Sequence, residues 1–278
     1  MERVMSIRSD YHMHTHHSGD SKAPMEDMIE CSIELGLEEI CFTEHLDLDY
    51  PTCYDDLPPE PFTLLPGPYR EEYEKYKAVY GDRISMRFGV EIGMQTQVAD
   101  QNNSFIEENG FDFVIASIHI VDGKDPFYAD FWEQDTIENI YKKTFDTTLE
   151  NIKCFDNFDV LGHLDYVCRY APAGDTTYSY ERFKDQIDEI LKYLVSHDKG
   201  LDFNAKILSK DPNGMPNPCP AALKRFKELG GKIITIGSDA HRPEKIACGF
   251  DRMRDIALEC GFTEYYTFEK RNPIAHKL

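Results

Sequence analysis

Short apolar segments alternate with amphipathic segments along most of this chain, and that alternation limits its fold more than any other feature. Apolar residues spaced three and four apart predict helices between the apolar segments, most clearly over residues 180–195. This order is typical of parallel βαβ units, and the nearly continuous apolar segment 233–236 suits a sheet buried on both faces. The predicted fold class is therefore α/β. The predicted strands are 9–14, 39–43, 85–90, 111–118, 158–161, 201–203 and 232–237.

The connections between the predicted strands differ in character. Residues 46–69 contain six of the fifteen prolines and are predicted to form a long loop that could cover a site. Residues 97–109 are predicted to be a connection or a short helix, and the tail from Glu269 is polar. No change in composition marks a second domain, so one domain is predicted over residues 1–278.

Residues that commonly bind metals follow nearly every predicted strand. His12 and His14 are two residues apart in the first strand, so they project to one face while Tyr11 and Met13 project to the other. Later strands run into His45, Glu91, His119, His163, Asp239 and His241. An open doubly wound sheet gathers its site at one switch point, whereas a barrel gathers residues from the end of every strand. The pattern therefore favours a barrel.

Imidazoles mixed with carboxylates suit zinc, iron or manganese, whereas calcium prefers oxygen ligands alone. An open catalytic site uses about three protein ligands for each ion. Eight or nine candidate ligands are too many for one ion and predict two or three divalent ions.

Composition limits the partners and the compartment. The formal net charge of −21 disfavours binding to nucleic acid and to anionic membranes. It leaves room for a small anionic substrate, because bound divalent cations can invert the local potential. Eight scattered cysteines without a CxxC pair indicate a reducing compartment, and no apolar segment suits a signal peptide or a membrane span. A cytoplasmic protein is expected, and its oligomeric state is left open.

The strand-end motifs together resemble those of one family, the PHP (polymerase and histidinol phosphatase) family, over residues 8 to about 250. Their order and spacing resemble most the histidinol-phosphate phosphatase branch. The motifs are His12-Met13-His14 with Asp20, Thr43-Glu44-His45, Gly89-Val90-Glu91, Ser117-Ile118-His119, Gly162-His163-Leu164-Asp165 and Gly237-Ser238-Asp239-Ala240-His241.

The resemblance implies a distorted seven-stranded (β/α) TIM-like barrel with three metal ions. By matching position, His12, His14, Glu91 and Asp239 would hold the first ion, and Glu91 would bridge to a second. His119 and His163 would complete the second set, and Asp20, His45 and His241 would hold the third ion. Asp20 also fits a turn or a helix cap.

The resemblance also implies a metal-dependent phosphomonoesterase that hydrolyses L-histidinol phosphate to L-histidinol and phosphate in histidine biosynthesis. Paired metals suit this chemistry, because they can generate a hydroxide for attack on phosphorus and neutralise the phosphate charge. Three alternatives stay open: another substrate, such as a nucleotide or phosphotyrosine; a metal-dependent amidohydrolase; and a non-catalytic domain that braces a partner.

Several residues are candidates for roles beyond metal binding. Asp239 or His241 is predicted to handle a proton during the reaction. Arg169 is the first candidate for a bidentate phosphate contact, followed by Arg242 and Lys206, although each could instead pair with a surface carboxylate. Aromatic residues could wall a pocket for an imidazole ring. They are Phe127, Tyr128 and Trp132. His16 and His17 are expected in the loop after the first strand and are not assigned to the site.

Overall fold

Seven parallel strands pair in chain order in the computed structural model, which describes residues 7–54 and 60–278. The first and last strands also meet, since His14 N–H donates to the Ala240 carbonyl at 2.9 Å and Asp239 N–H donates to the His12 carbonyl at 2.7 Å. The sheet is thus a nearly closed barrel, and the predicted α/β barrel is confirmed. The strands are β1 (Ser9–Met13), β2 (Glu39–Leu46), β3 (Ser85–Gly93), β4 (Phe113–Ser117), β5 (Val160–Leu161), β6 (Gly200–Asn204) and β7 (Ile234–Gly237).

A helix follows each barrel strand. Their ends carry the expected signals: the Thr136 hydroxyl accepts from Asn139 N–H before the fourth helix, and Gly110 takes a φ of 54° after the third. The helices are α1 (Met25–Glu34), α2 (Pro66–Tyr80), α3 (Ala99–Asn109), α4 (Ile137–Cys154), α5 (Lys184–Ser196), α6 (Pro220–Glu228) and α7 (Phe250–Glu259). Within the described residues, no helix has both the length and the apolarity to cross a bilayer.

The barrel interior is apolar at the amino ends of the strands. The ring centroids of Tyr11 and Phe113 are 5.3 Å apart, and those of Phe113 and Phe268 are 5.0 Å apart. Phe268 belongs to an antiparallel hairpin of β8 (Glu264–Glu269) and β9 (Asn272–Lys277). Its backbone N–H donates to the Tyr11 hydroxyl at 3.0 Å, so the hairpin covers this end of the barrel.

The prediction that Tyr11 and Met13 share one face of β1 is wrong. Asp10 pairs with Ile40, but Met13 pairs with Phe42, so β1 contains one extra residue between these pairs. Such a β-bulge lets successive side chains project to the same side. Tyr11 packs in the interior cluster with Phe113, whereas Met13 packs in the main core between the sheet and the helices.

Three other boundaries differ from the sequence prediction. Residues 97–109 are mostly the eleven-residue helix α3, α2 begins at Pro66 inside the predicted loop 46–69, and the polar tail forms strand β9. Part of the predicted loop, residues 55–59, lies outside the described residues. The prediction that residues 1–278 form one domain stays a prediction.

Candidate metal centre

A single buried carboxylate lies at the middle of the polar end of the barrel. Glu91 is on β3 and is fully buried, and its two oxygens contact the rings of five histidines that come from four other chain segments. Its Oε2 lies 3.0 Å from His12 Nε2, 3.5 Å from His14 Nε2 and 3.2 Å from His45 Nδ1, and its Oε1 lies 3.3 Å from His119 Nε2 and 3.0 Å from His163 Nε2. The structure therefore brings together six of the nine predicted ligands around one carboxylate.

The other three predicted ligands lie beside this group. Asp239 Oδ1 is 3.7 Å from His14 Nε2, and the ring of His14 packs against those of His45 and His241, with centroids 4.2 and 4.3 Å away. Asp20 Oδ2 is 2.8 Å from His241 Nε2, although the Asp20 side chain is 42% exposed. All nine predicted ligands thus lie at one end of the barrel.

The pKa values of the groups at this end of the barrel depend on their burial and on the opposite charges of neighbouring carboxylates and imidazoles. Burial raises the pKa of Glu91, but the surrounding histidines outweigh burial and hold that pKa well below its ordinary value. Burial lowers the pKa of His12, but Glu91 and Asp202 outweigh it and raise that pKa. For His163, burial and the positive charge of Arg169 lower the pKa to about 4. Glu91 is thus held ionised, which is the form of a carboxylate that binds cations.

The donor set fits divalent metals. Across residues 7–54 and 60–278, the buried His14 Nε2 and His45 Nδ1 have no hydrogen-bond partner, although both face Glu91. An unpaired buried nitrogen is costly unless something satisfies it. Ligand atoms converge in several buried groups of three, each within 4.8 Å, including His12, His14 and Glu91. Imidazole nitrogens with carboxylate oxygens are the ligands of zinc, iron and manganese sites.

A cavity of about 350 Å³ opens onto this cluster. Its floor is formed by the ligand-type residues, and its wall is aromatic. The wall residues are Tyr50, Phe62, Phe127, Tyr128, Tyr166 and Tyr170. Phe127 and Tyr128 thus lie where the sequence predicted, whereas Trp132 is outside the lining. Tyr50 donates to Asp125 Oδ2 at 2.6 Å, which places a buried carboxylate in the same wall.

Two cationic side chains line the cavity near Asp239. The Arg169 guanidinium donates to Asp239 Oδ2 at 2.9 Å and to the side-chain oxygens of Asn217 and Asn204 at 2.8 and 2.6 Å. Lys206 Nζ donates to Asp239 Oδ1 at 3.1 Å and lies 2.7 Å from His241 Nδ1. Arg242, the third predicted phosphate contact, is exposed and lies outside the cavity lining.

The comparison with known families decides where this barrel belongs. Residues 10–206 match the family model described as the PHP domain. The chain belongs to the PHP family. The resemblance drawn from the strand-end motifs is therefore confirmed.

Curated relatives of this PHP protein match it along nearly its whole length. A probable histidinol-phosphatase of Clostridium acetobutylicum is 34% identical over 265 residues, which are 94% of this chain and 97% of the relative. A histidinol-phosphatase of Lactococcus lactis subsp. lactis is 33% identical over 260 residues, which are 93% of each chain.

Solved structures agree with the barrel. A histidinol phosphate phosphatase from Lactococcus lactis, in complex with Zn, L-histidinol and phosphate, has a TM-score of 0.87 at 33% identity, covering 96% of this chain and 98% of that chain. A putative histidinol phosphatase from Listeria monocytogenes shares the fold, with a TM-score of 0.73 at 23% identity, covering 88% of this PHP chain and 99% of the other.

Carboxylates and a hydroxyl that the sequence analysis did not assign hold the histidines of the PHP site in place. Asp202 Oδ2 lies 2.9 Å from His12 Nδ1, Asp47 Oδ1 lies 2.7 Å from His119 Nδ1, and Ser18 Oγ lies 3.1 Å from His14 Nδ1. Each contact leaves the other ring nitrogen directed at the cluster. Such partners fix the ring and its tautomer and increase the basicity of a metal-binding imidazole.

The sequence contains features that could have identified Asp47 and Asp202 as partners of the histidines. Asp47 is two residues after His45, so it lies on the same side of the extended chain, and Asp202 interrupts the apolar strand β6. A charged residue inside a short buried strand needs a partner, and here the partner is His12.

Replacing Asp202 with Asn keeps the side-chain shape and removes the charge that faces His12 Nδ1. We expect the affinity of the centre for divalent metal to fall about 10- to 100-fold. Equilibrium dialysis against buffered Zn²⁺, followed by elemental analysis, measures this change. Asp185→Asn, at an exposed position of α5, is the control and should keep the wild-type affinity. Equal affinities of Asp202→Asn and wild type would show that His12 is positioned without this charge.

Proposed function

We propose that this PHP protein is a metal-dependent phosphomonoesterase that hydrolyses L-histidinol phosphate to L-histidinol and phosphate. The observation that carries the reaction type is Glu91, whose two oxygens are shared by five buried histidines at the floor of a cavity. The substrate is supported by the names of the full-length relatives and by the ligands of the Lactococcus lactis structure.

The residues present fit two or three divalent ions, with zinc, iron or manganese as the candidate metals. His12, His14, Glu91 and Asp239 would hold one ion, and Glu91, His119 and His163 a second. Asp20, His45 and His241 would hold a third. When bound, such ions would supply Lewis-acid chemistry, lowering the pKa of a water and neutralising phosphate charge.

Arg169 and Lys206 are suited to the phosphate group of the substrate. Both line the cavity beside Asp239, and Arg169 can present two parallel N–H groups to one phosphate. The asparagines that accept from Arg169 fix its direction. Arg242 is exposed and away from the lining, so it is the weakest of the three proposed contacts.

The rest of the substrate would lie against the aromatic wall. An imidazole ring stacks on aromatic side chains, and the buried Asp125 carboxylate could accept from an imidazole or ammonium N–H. Burial raises the pKa of Asp125, and the hydroxyl of Tyr50 opposes that rise by donating to its carboxylate. A cationic ring bound nearby would favour its ionised form.

The proposed reaction belongs to a biosynthetic route to histidine, which suits the predicted cytoplasmic location; both stay predictions. The expectation of no nucleic-acid partner also stays a prediction.

Arg169→Ala separates phosphate binding from metal binding. We expect KM for L-histidinol phosphate to rise about tenfold or more, because a charge-assisted hydrogen bond contributes about 1.5–3 kcal/mol. Metal content should change far less than KM. Steady-state kinetics and elemental analysis of the same sample check this, with Arg182→Ala, an exposed arginine outside the cavity lining, as the matched control. Loss of metal with an unchanged KM would instead assign Arg169 to holding Asp239.

Either Asp239 or His241 is proposed to handle the proton that moves during hydrolysis. Lys206 Nζ faces His241 Nδ1, which leaves His241 Nε2 directed at Asp20 on the open side of the cluster. His241→Asn should lower kcat about 10²- to 10⁴-fold at saturating metal, because general acid–base groups contribute that much. Elemental analysis of the same sample shows whether the third ion, which His241 would also help to hold, is retained. An unchanged kcat in metal-loaded enzyme would exclude the proton role, and a lower kcat that follows the loss of one ion would be explained by metal binding alone.

The substrate itself is tested by comparing kcat/KM for L-histidinol phosphate with values for p-nitrophenyl phosphate, a nucleotide and a phosphotyrosine peptide, each with added Mn²⁺ or Zn²⁺. We expect a preference of about 10³ or more for L-histidinol phosphate, since a gap of that size requires specific polar contacts. Comparable slow rates on all four would keep the phosphoesterase chemistry and reject the substrate. No activity in metal-loaded protein would favour the bracing role.

A further inference from the structure

Two histidines and a glutamate converge outside the cavity, on the loop after β1 and on helix α2. His17 Nε2 lies 2.6 Å from Glu72 Oε2, and His16 Nε2 lies 3.1 Å from the same oxygen. The two ring centroids are 4.4 Å apart. Their three ligand atoms all fall within 4.8 Å of one another, the spacing of a set that could hold one ion.

This group, the His16–His17–Glu72 cluster, is separate from the Glu91 centre. None of its three residues lines the cavity that opens onto Glu91. Their side chains are 44%, 12% and 23% exposed in chain order, so the cluster is open to solvent on the His16 side. An ion could therefore reach it without passing through the substrate cavity.

The cluster is held by the fold on both sides. His16 N–H donates to the Ala23 carbonyl at 2.9 Å, and the ring of His17 packs on that of Tyr69 with centroids 5.4 Å apart. The buried Tyr69 hydroxyl in turn donates to backbone carbonyls of β2 and β3. Glu72 is three residues after Tyr69 on α2, so it presents to the same side of the helix.

We propose that His16, His17 and Glu72 bind one transition-metal ion of the Zn²⁺ type at the protein surface, in addition to the ions of the Glu91 centre. Two imidazole nitrogens and one carboxylate oxygen form a three-ligand set that suits zinc, copper or nickel, whereas magnesium and calcium prefer oxygen ligands. Solvent completes the coordination on the exposed side. This inference does not depend on the substrate of the enzyme.

An ion at this position joins two parts of the chain that support the main site. The loop that carries His16 and His17 also carries Ser18, whose hydroxyl lies 3.1 Å from His14 Nδ1 and donates to the buried Glu44. The other ligand belongs to α2. The surface ion thus ties this loop to a barrel helix and restricts the segment that positions His14 and Asp20.

The test compares zinc stoichiometry in matched proteins. Wild type, His16→Ala and Glu72→Gln are dialysed against buffered Zn²⁺ of increasing free concentration, and bound zinc is measured by elemental analysis. We expect each variant to bind one equivalent less than wild type at saturation. His197→Ala removes an exposed histidine that bonds locally to the Tyr193 carbonyl, and it should keep the wild-type number.

The test measures the difference in bound zinc between wild type and variant. Its result therefore does not depend on how many ions the Glu91 centre binds or on whether the protein hydrolyses L-histidinol phosphate. His16 is the most exposed of the three ligands, and its replacement should leave the fold intact, as circular dichroism will check. Equal zinc stoichiometry in wild type and in folded His16→Ala would overturn the proposal, and the cluster would then be one hydrogen bond and one ion pair to Glu72.

Discussion

The buried charge of Glu91 is the constraint that the rest of this barrel satisfies. An ionised carboxylate in a protein interior is unstable unless opposite charge or several donors surround it. Here the compensation comes from five imidazoles and from the Ser117 hydroxyl, which donates at 2.6 Å. Those groups belong to segments that are far apart in the chain, so they meet only when the strands curve round one axis. Assembly of the centre thus depends on closure of the barrel.

The contact between the first and last strands completes that closure. A Cβ at Gly237 would lie 2.2 Å from the Cβ of His12, so only a glycine lets β7 approach β1 this closely. Asp239 and His241 follow directly, and Asp239 approaches the same His14 ring nitrogen that faces Glu91. The bulge in β1 adds to this arrangement, because it lets Tyr11 fill the apolar interior while His12 and His14 both reach Glu91.

The sequence predicted the parts of the site that follow from strand periodicity. Eight of the nine candidate ligands come at or just after the end of an apolar strand, and parallel strands put those ends at one rim, so these eight could be placed without coordinates. Asp20, in the loop after β1, was placed only by the resemblance to the family. The prediction that Trp132 lines the cavity was wrong, because no periodic pattern indicates where a side chain of an irregular loop lies. The predicted direction of Tyr11 was wrong because one extra residue shifts the side-chain period of two. Strand β9 was missed because its sequence, Asn272–Lys277, shows no alternation of apolar and polar residues.

In this protein, strands position the candidate metal ligands, whereas loops form the part of the cavity that would contact the rest of the substrate. Except for Asp20, the candidate ligands are on or next to buried strands, where backbone pairing holds them to fixed positions. The cavity wall is built from irregular segments instead: Tyr50 and Phe62 belong to the connection between β2 and α2, and Phe127 and Tyr128 come after β4. Loops change more freely than strands, because few buried contacts constrain them. A PHP barrel can therefore keep its whole ligand set while changes in the residues of the cavity wall alter which substrate binds. The ligand motifs support phosphoester hydrolysis. Support for the substrate comes from relatives that match this chain along its whole length, including the segments that form the wall.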